Sequence, residues 1–212
     1  MASSRLVAPE LATIKVHGMT REAFLIRSTL AAGAAYGAMS ATGLISSALA
    51  DGGGDDVDIL NYALTLEYLE NEFYVQAAKQ VKGLSKYESD LTKELRDNEA
   101  EHVDALAATV KKLGGKPASK PTFDFGGAFA SRASYLKTAN TLEDTGVSAY
   151  NGAAPSIKST EVLAAAGSIV QIEARHAALI RLVRDKPPAP RAFDKASEMD
   201  KILAAIKPFI RA

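Results

Sequence analysis

Two short stretches carry the chemistry of this chain: Glu99-Ala100-Glu101-His102 and Glu173-Ala174-Arg175-His176, each a Glu-x-x-His. On a helix, residues three apart leave from the same face, so each stretch offers a carboxylate and an imidazole together. Upstream of each lies another glutamate with a tyrosine seven residues on, Glu67 with Tyr74 and Glu143 with Tyr150. The intervals agree closely, 32 residues from Glu67 to Glu99 and 30 from Glu143 to Glu173. One unit is therefore used twice. Four glutamates and two histidines on four helices form a donor set for two metal ions, with two glutamates bridging and one glutamate and one histidine per metal. Oxygen and imidazole donors with open positions suit iron or manganese. Zinc also fits, as a redox-silent occupant.

The neighbours of these residues sharpen the reading. Glu99 shares its helical stripe with Leu95 and Leu106, and Glu173 with Ile169 and Ile180. A carboxylate in such a place costs several kcal/mol unless it is paired or bound to a cation. Four converging glutamates repel one another, so they either protonate or bind metal. A single Glu-x-x-His is ordinarily a solvated pair; it is the conjunction that points to metal. The chain has three histidines, His17 lies in the N-terminal segment, and both others have a Glu three before and a Glu about thirty before. Within the first helix Glu70 and Glu72 compete with Glu67, which is preferred because Tyr74 follows it as Tyr150 follows Glu143. Glu101 and Glu161 read as surface residues. Tyr74 and Tyr150 are the candidates to stand behind the ligands, orienting them or supplying electrons; a tyrosine at that spacing also serves core packing.

Positioning six such residues takes long helices. Leu60, Leu64, Leu66, Leu69, Phe73 and Ala77 fall at helical spacing and predict a first helix over about 55–82, ended by Gly83. Ser85-Lys86-Tyr87-Glu88 is a capping box, in which the Ser and Glu side chains satisfy the first free amides. It opens a second helix to about 113, where Gly114-Gly115 stop it, with Leu91, Leu95, Glu99, His102, Leu106 and Leu113 facing inward. A third helix over about 131–151 carries Leu136, Ala139, Glu143, Val147 and Tyr150, and a turn comes next at 152–156. A fourth, over about 159–184, carries Leu163, Ala166, Ile169, Glu173, His176 and Ile180, and Lys186-Pro-Pro-Ala-Pro190 ends it. A short fifth helix over about 194–206 has Met199, Ile202, Leu203 and Ile206 on one side. Residues 114–131 are long for a helix–helix link. Extended, they reach about 60 Å, more than the roughly 42 Å of a 28-residue helix. The link can therefore run the length of the bundle and leave helices two and three parallel, with Phe123, Phe125 and Phe129 pinning it.

Composition bounds the rest. The chain has 212 residues, a formal charge of zero, 47% apolar residues and no cysteine. There is no charge excess or basic patch to engage nucleic acid, and no thiolate for a disulfide, a rubredoxin-type iron centre or nucleophilic catalysis. Residues 1–50 differ in character from the remainder of the chain: Arg5, Lys15, Arg21 and Arg27 precede an uncharged stretch from Leu30 to Ala50 that ends Ala48-Leu49-Ala50. These are the marks of a secretory signal peptide, removed on export. Residues 51–54 are then a flexible linker and 55–212 the folded domain. The apolar run is long enough to span a bilayer, so the alternative is a retained anchor; its Ala, Gly, Ser and Thr content makes that a weak one. Thr20-Arg21-Glu22-Ala23-Phe24-Leu25-Ile26-Arg27 resembles a twin-arginine signal but has Glu22 where that signal has its second arginine, so the general secretory route stays open.

The motifs resemble those of the ferritin-like superfamily of carboxylate-bridged two-metal proteins. Leu-Glu-Tyr-Leu-Glu-Asn-Glu-Phe-Tyr (66–74), Asp-Asn-Glu-Ala-Glu-His (97–102), Leu-Glu-Asp-Thr-Gly-Val-Ser-Ala-Tyr (142–150) and Glu-Ala-Arg-His-Ala-Ala (173–178) look like the exported ferritin-like family that includes desiccation-related proteins. The resemblance implies an all-α four-helix bundle with one long crossover connection and a short C-terminal fifth helix. It also implies metal ligands Glu67, Glu99, His102, Glu143, Glu173 and His176. It does not fix a reaction. The expected partners are metal ions with peroxide or dioxygen, no nucleic acid, and a membrane only during export or if the N-terminal segment is retained. A homodimer stays open. The expected location is periplasmic or extracellular. Three functions are compatible with it: a peroxidase, catalase-like or ferroxidase centre; a metal-storage protein without turnover; or a structural stress protein in which metal is absent or only stabilising.

Overall fold

The structure, a computed structural model, describes residues 15–16, 19–20 and 54–211. The signal peptide expected over 1–50 and the linker at 51–54 otherwise lie outside the described residues. Strands β1 (Lys15–Val16) and β2 (Met19–Thr20) pair antiparallel, Lys15 opposite Thr20 and Val16 opposite Met19. From Gly54 on, the described residues form α1 (Gly54–Gln80), α2 (Lys86–Lys112), α3 (Arg132–Ala153), α4 (Thr160–Val183) and α5 (Met199–Ile206). No helix among them is long and apolar enough to cross a membrane.

The starts of α2, α3 and α4 each have a local chemical cause. Ser85 and Glu88 form the capping box read from the sequence: the Glu88 amide donates to the Ser85 hydroxyl at 3.2 Å, and the Ser85 amide to the Glu88 carboxylate at 2.8 Å. Ser131 and Ser134 make the same reciprocal cap on α3, where a serine stands in for the usual acid. Ser159 caps α4 by accepting the Val162 amide. Buried Asp56 accepts the Lys158 and Ser159 amides at 2.9 and 2.8 Å, tying the start of α4 to the start of α1. Gly83 and Gly114, both left-handed with φ of 76° and 78°, come just after the ends of α1 and α2.

These ties also set the topology. The Arg132 guanidinium at the start of α3 reaches the Glu88 carboxylate at the start of α2 and the Val183 carbonyl at the end of α4. Helices α2 and α3 therefore begin at one end of the bundle, and α1 and α4 at the other. The chain between α2 and α3 crosses the full length, as its reach allows. Asn61 holds its first part, donating to the Lys116 carbonyl and accepting the Ala118 amide. Phe123 and Phe125 are buried, and the rings of Phe125 and Phe129 both lie 5.2 Å from Phe73. This bundle with one crossover is the expected architecture. A strand pair missed in the sequence closes it: β3 (Thr122–Phe123) with β4 (Ile210–Arg211).

Two inward positions were misread. Leu163 and Leu203 are 40% and 43% exposed. Stepping back from Ile180 by four, three, four and three gives His176, Glu173, Ile169 and Ala166, and the next step of four lands on Val162, which is 2% exposed. On α5 the buried pair is Ile202 and Ile206, one turn apart, with Leu203 on the flank. Helix α5 also begins later than expected, because Ser197 spends its amide on the Ser148 carbonyl of α3 (2.9 Å). Helix α3 in turn continues through Gly152, where a turn was expected. A Cβ at Gly152 would lie 1.9 Å from the Ser197 carbonyl oxygen, so the returning segment fits only against a glycine. Gly152→Ala is expected to destabilise the fold by about 2 kcal/mol, read as a lower urea midpoint at unchanged slope.

The core falls into two apolar layers. One gathers Leu69, Phe73, Leu91, Leu95, Tyr135, Leu136 and Ile180, and the other Leu60, Leu64, Leu106, Val110, Val162 and Ile169. The glutamates and histidines at the middle of the four long helices lie between them.

Candidate metal centre

The six residues singled out by spacing converge between those layers. Glu67, Glu99, Glu143 and Glu173 are each 0% exposed, His176 2% and His102 9%. Helical periodicity places them there, because each shares a stripe with an apolar residue one turn away, Leu or Ile for five of them and Ala139 and Val147 for Glu143. Their donor atoms form two compact groups, Glu67, Glu99, His102 and Glu173, and Glu99, Glu143, Glu173 and His176, with all atoms in a group within 4.8 Å of one another. Glu99 and Glu173, the glutamates of the two Glu-x-x-His stretches, belong to both groups. Glu67 and Glu143 each belong to one.

Within the groups, His102 Nδ1 lies 3.2 Å from Glu67 Oε2, 3.0 Å from Glu99 Oε2 and 3.0 Å from Glu173 Oε1. His176 Nδ1 lies 2.8 Å from Glu99 Oε1 and 3.4 Å from Glu143 Oε2. Short as these distances are, Glu99 Oε1, Glu143 Oε2, both Glu173 oxygens and His176 Nδ1 make no hydrogen bond of proper geometry. His102 Nδ1 alone meets hydrogen-bond geometry, toward Glu67 and Glu99; the other donors converge on common points without aligning on one another. That is how ligands stand around a cation, whereas buried polar atoms in a metal-free core are ordinarily paired. The residues therefore fit a bound metal ion, with oxygen and imidazole donors of the kind iron, manganese and zinc accept.

The tyrosines are arranged crosswise. Tyr74 on α1 donates its hydroxyl to Glu143 on α3, and Tyr150 on α3 donates to Glu67 on α1. Each tyrosine thus orients the glutamate of the opposite repeat, not the one that precedes it in sequence. Both hydroxyls have their pKa raised, first by burial and then by the facing carboxylates, so they remain donors. Asn98, also not foreseen, has its side-chain nitrogen Nδ2 3.0 Å from His176 Nε2. A ring that offers Nδ1 to a cation carries its proton on Nε2, and Asn98 accepts that proton with its amide turned over to present the oxygen.

Glu70 is a further buried acid beside the two donor groups, although it belongs to neither. It competes with Glu67 in the sequence, yet the structure buries both, Glu70 to 2% exposure with neither oxygen hydrogen-bonded. Its position three residues after Glu67 already places it on the same face. Glu72, the other competitor, lies at the surface, 2.5 Å from Lys120. Glu101 is exposed, as expected, and the Glu161 carboxylate only accepts the Ser159 and Thr160 hydroxyls at the start of α4.

Five carboxylates at such depth hold protons unusually. Burial raises Glu67 to about 7, and burial with the neighbouring carboxylates raises Glu70 and Glu173 well above the usual range. Glu143 is raised too, chiefly by burial. For Glu99 burial is outweighed by the close contacts and positive charges of both imidazoles, which hold it at about 2. Burial works against the charged imidazoles, but their carboxylate neighbours win, raising His176 to about 11 and His102 further. Without metal the cluster keeps protons at neutral pH, and a bound cation must displace them.

None of the curated proteins compared with the chain matches it. Residues 55–186, which span the four long helices and every donor described above, match the ferritin-like domain family, and the chain belongs to that family.

Proposed function

We propose that the protein is an exported metalloprotein holding two iron or manganese ions. Glu67 and His102 would hold one and Glu143 and His176 the other, with Glu99 and Glu173 serving both. The observation that carries this reading is the set of buried donors that converge without pairing. When bound, such a metal pair supplies redox chemistry toward peroxide or dioxygen. The chain's own residues do the rest: Tyr74 and Tyr150 hold the terminal glutamates in orientation, Asn98 fixes the His176 ring, and the two apolar layers exclude water. His102, the most exposed of the six, marks the side from which a small oxidant approaches. The composition of the N-terminal fifty residues supports export to the periplasm or beyond, where such a centre would serve stress protection.

A second reading rests on how closely the centre is sealed, with four glutamates at zero exposure. In it the metal only stabilises the bundle. Protein loaded with iron or with manganese and mixed with hydrogen peroxide separates the two. The redox reading expects about two metal equivalents per chain and peroxide consumption well above that of the metal-free protein. Full occupancy with no consumption leaves the stabilising role. Failure to retain either metal removes both.

A further inference from the structure

The repeat holds at the six donors, and two of the positions where it breaks change the polar groups beside them. Glu70 stands three residues after Glu67; the equivalent position after Glu143 is Gly146. Asn98 precedes Glu99; the equivalent before Glu173 is Ile172. The first break is complementary in space. A Cβ at Gly146 would lie 3.1 and 3.4 Å from the two Glu70 oxygens and 3.3 Å from Glu173 Oε2. The extra acid of one repeat therefore fills the room left by the missing side chain of the other, beside a carboxylate that both donor groups share.

A glutamate buried for packing alone would be expected to accept from a hydroxyl, an amide or a cationic side chain. Glu70 accepts from none: both its oxygens are buried and unpartnered, and its polar neighbour at Gly146 is another carboxylate with both oxygens unpartnered. Two facing carboxylates are satisfied together by a proton they share or by a cation that displaces it.

We propose that Glu70 is a fifth carboxylate donor to the metal centre, reaching across to the position served by Glu143 and His176 through space left open by Gly146, so that the two metal positions are unequal. This rests on the metal-binding reading above. The second break acts in the same sense, because Asn98 supports the His176 ring while Ile172, with no polar side chain, stands where His102 would need its counterpart. The Glu143/His176 position thus has one more anionic donor and the better-held imidazole, and it fills first.

Titration of the metal-free full chain with Co2+, followed by its visible absorption and by calorimetry, tests this. The wild type is expected to bind in two resolved steps. Glu70→Gln keeps the shape and removes the charge; it should weaken the tighter step by at least about tenfold and change the spectrum of that step alone. Gly146→Ala, which crowds the Glu70 carboxylate on both oxygens and the shared Glu173 on one, should weaken the same step most, and it carries the test if Glu70→Gln fails to fold. Glu67→Gln should instead weaken the looser step. Two equal steps in the wild type, or wild-type binding by both the Glu70 and Gly146 variants, would overturn the inference while leaving the two-metal centre intact. Absence of any Co2+ binding by the wild type would overturn the centre itself.

Discussion

Loading the metal-free protein with Mn2+ at pH 8 is expected to raise its melting temperature by about 10–20 °C, and at pH 5 by much less. A ligand at a hundred times its dissociation constant stabilises by about 2.7 kcal/mol per site. Two sites in a domain of this size convert to that shift at about 2–4 °C per kcal/mol. The pH dependence comes from the direction of the shifts. Glu67, Glu70, Glu143 and Glu173 are raised by burial, and both imidazoles by their carboxylate partners. All six bind protons more readily in the folded chain than in the unfolded one. The stability they lend is complete below the unfolded values, about 4.3 for Glu and 6.5 for His, and is lost as pH rises through the folded values. Glu99, held at about 2, has the opposite sign, but its window lies below that of the others. The metal-free protein should therefore melt at falling temperature from pH 5 to 8. Metal binding strengthens over the same range, because the donors must shed those protons. Melting curves with chelator and with Mn2+ across that range check both trends. A metal-free melting temperature that climbs with pH, or a gap that does not widen, is incompatible with this account.

Substitution of a shared glutamate should have two effects of opposite sign. Glu173→Gln removes a donor from both groups, so bound metal is expected to fall from about two equivalents to less than one, and the thermal gain on loading should vanish. In the metal-free state the same change replaces a crowded acid with a neutral side chain of equal shape. His102 retains Glu67 and Glu99 as partners at 3.2 and 3.0 Å. The variant should then be more stable than the metal-free wild type at pH 8 by about 1–3 kcal/mol, the scale of one close like-charge contact in a partly screened interior. Metal analysis alongside chemical denaturation reads both effects. A Glu173→Gln protein that is less stable without metal, or that still binds two equivalents, would show that Glu173 is held by something other than cations. Glu67→Gln and Glu143→Gln, each in one group only, should cost one equivalent.

The large elements were legible because helix formation is local. Periodic Leu, Ile and Ala positions, the Ser85–Glu88 cap and the glycines after α1 and α2 act within a few residues of themselves. The helix bounds therefore came within a few residues, except at α5, whose start gave way to a long-range backbone contact with α3. The length of the link between α2 and α3 was enough to imply parallel helices. The same local rule, three residues to one helical face, assembled Glu99 with His102 and Glu173 with His176. The matching intervals added Glu67 and Glu143.

Spacing along the chain thus fixes which residues face inward and at what level along each helix. Tertiary structure alone decided who meets whom. Tyr74 bonds to Glu143 rather than to Glu67, and Glu99 and Glu173 rather than the upstream pair are shared by both donor groups. Glu70 proved as deeply buried as the residue it competed with, because a glycine on α3 made room. Strands β3 and β4 pair across the chain by backbone groups that carry no side-chain signature. A helix's period fixes the direction of a side chain about its own axis, but the rotation and separation of neighbouring helices depend on every contact between them at once, and no spacing along one segment encodes that.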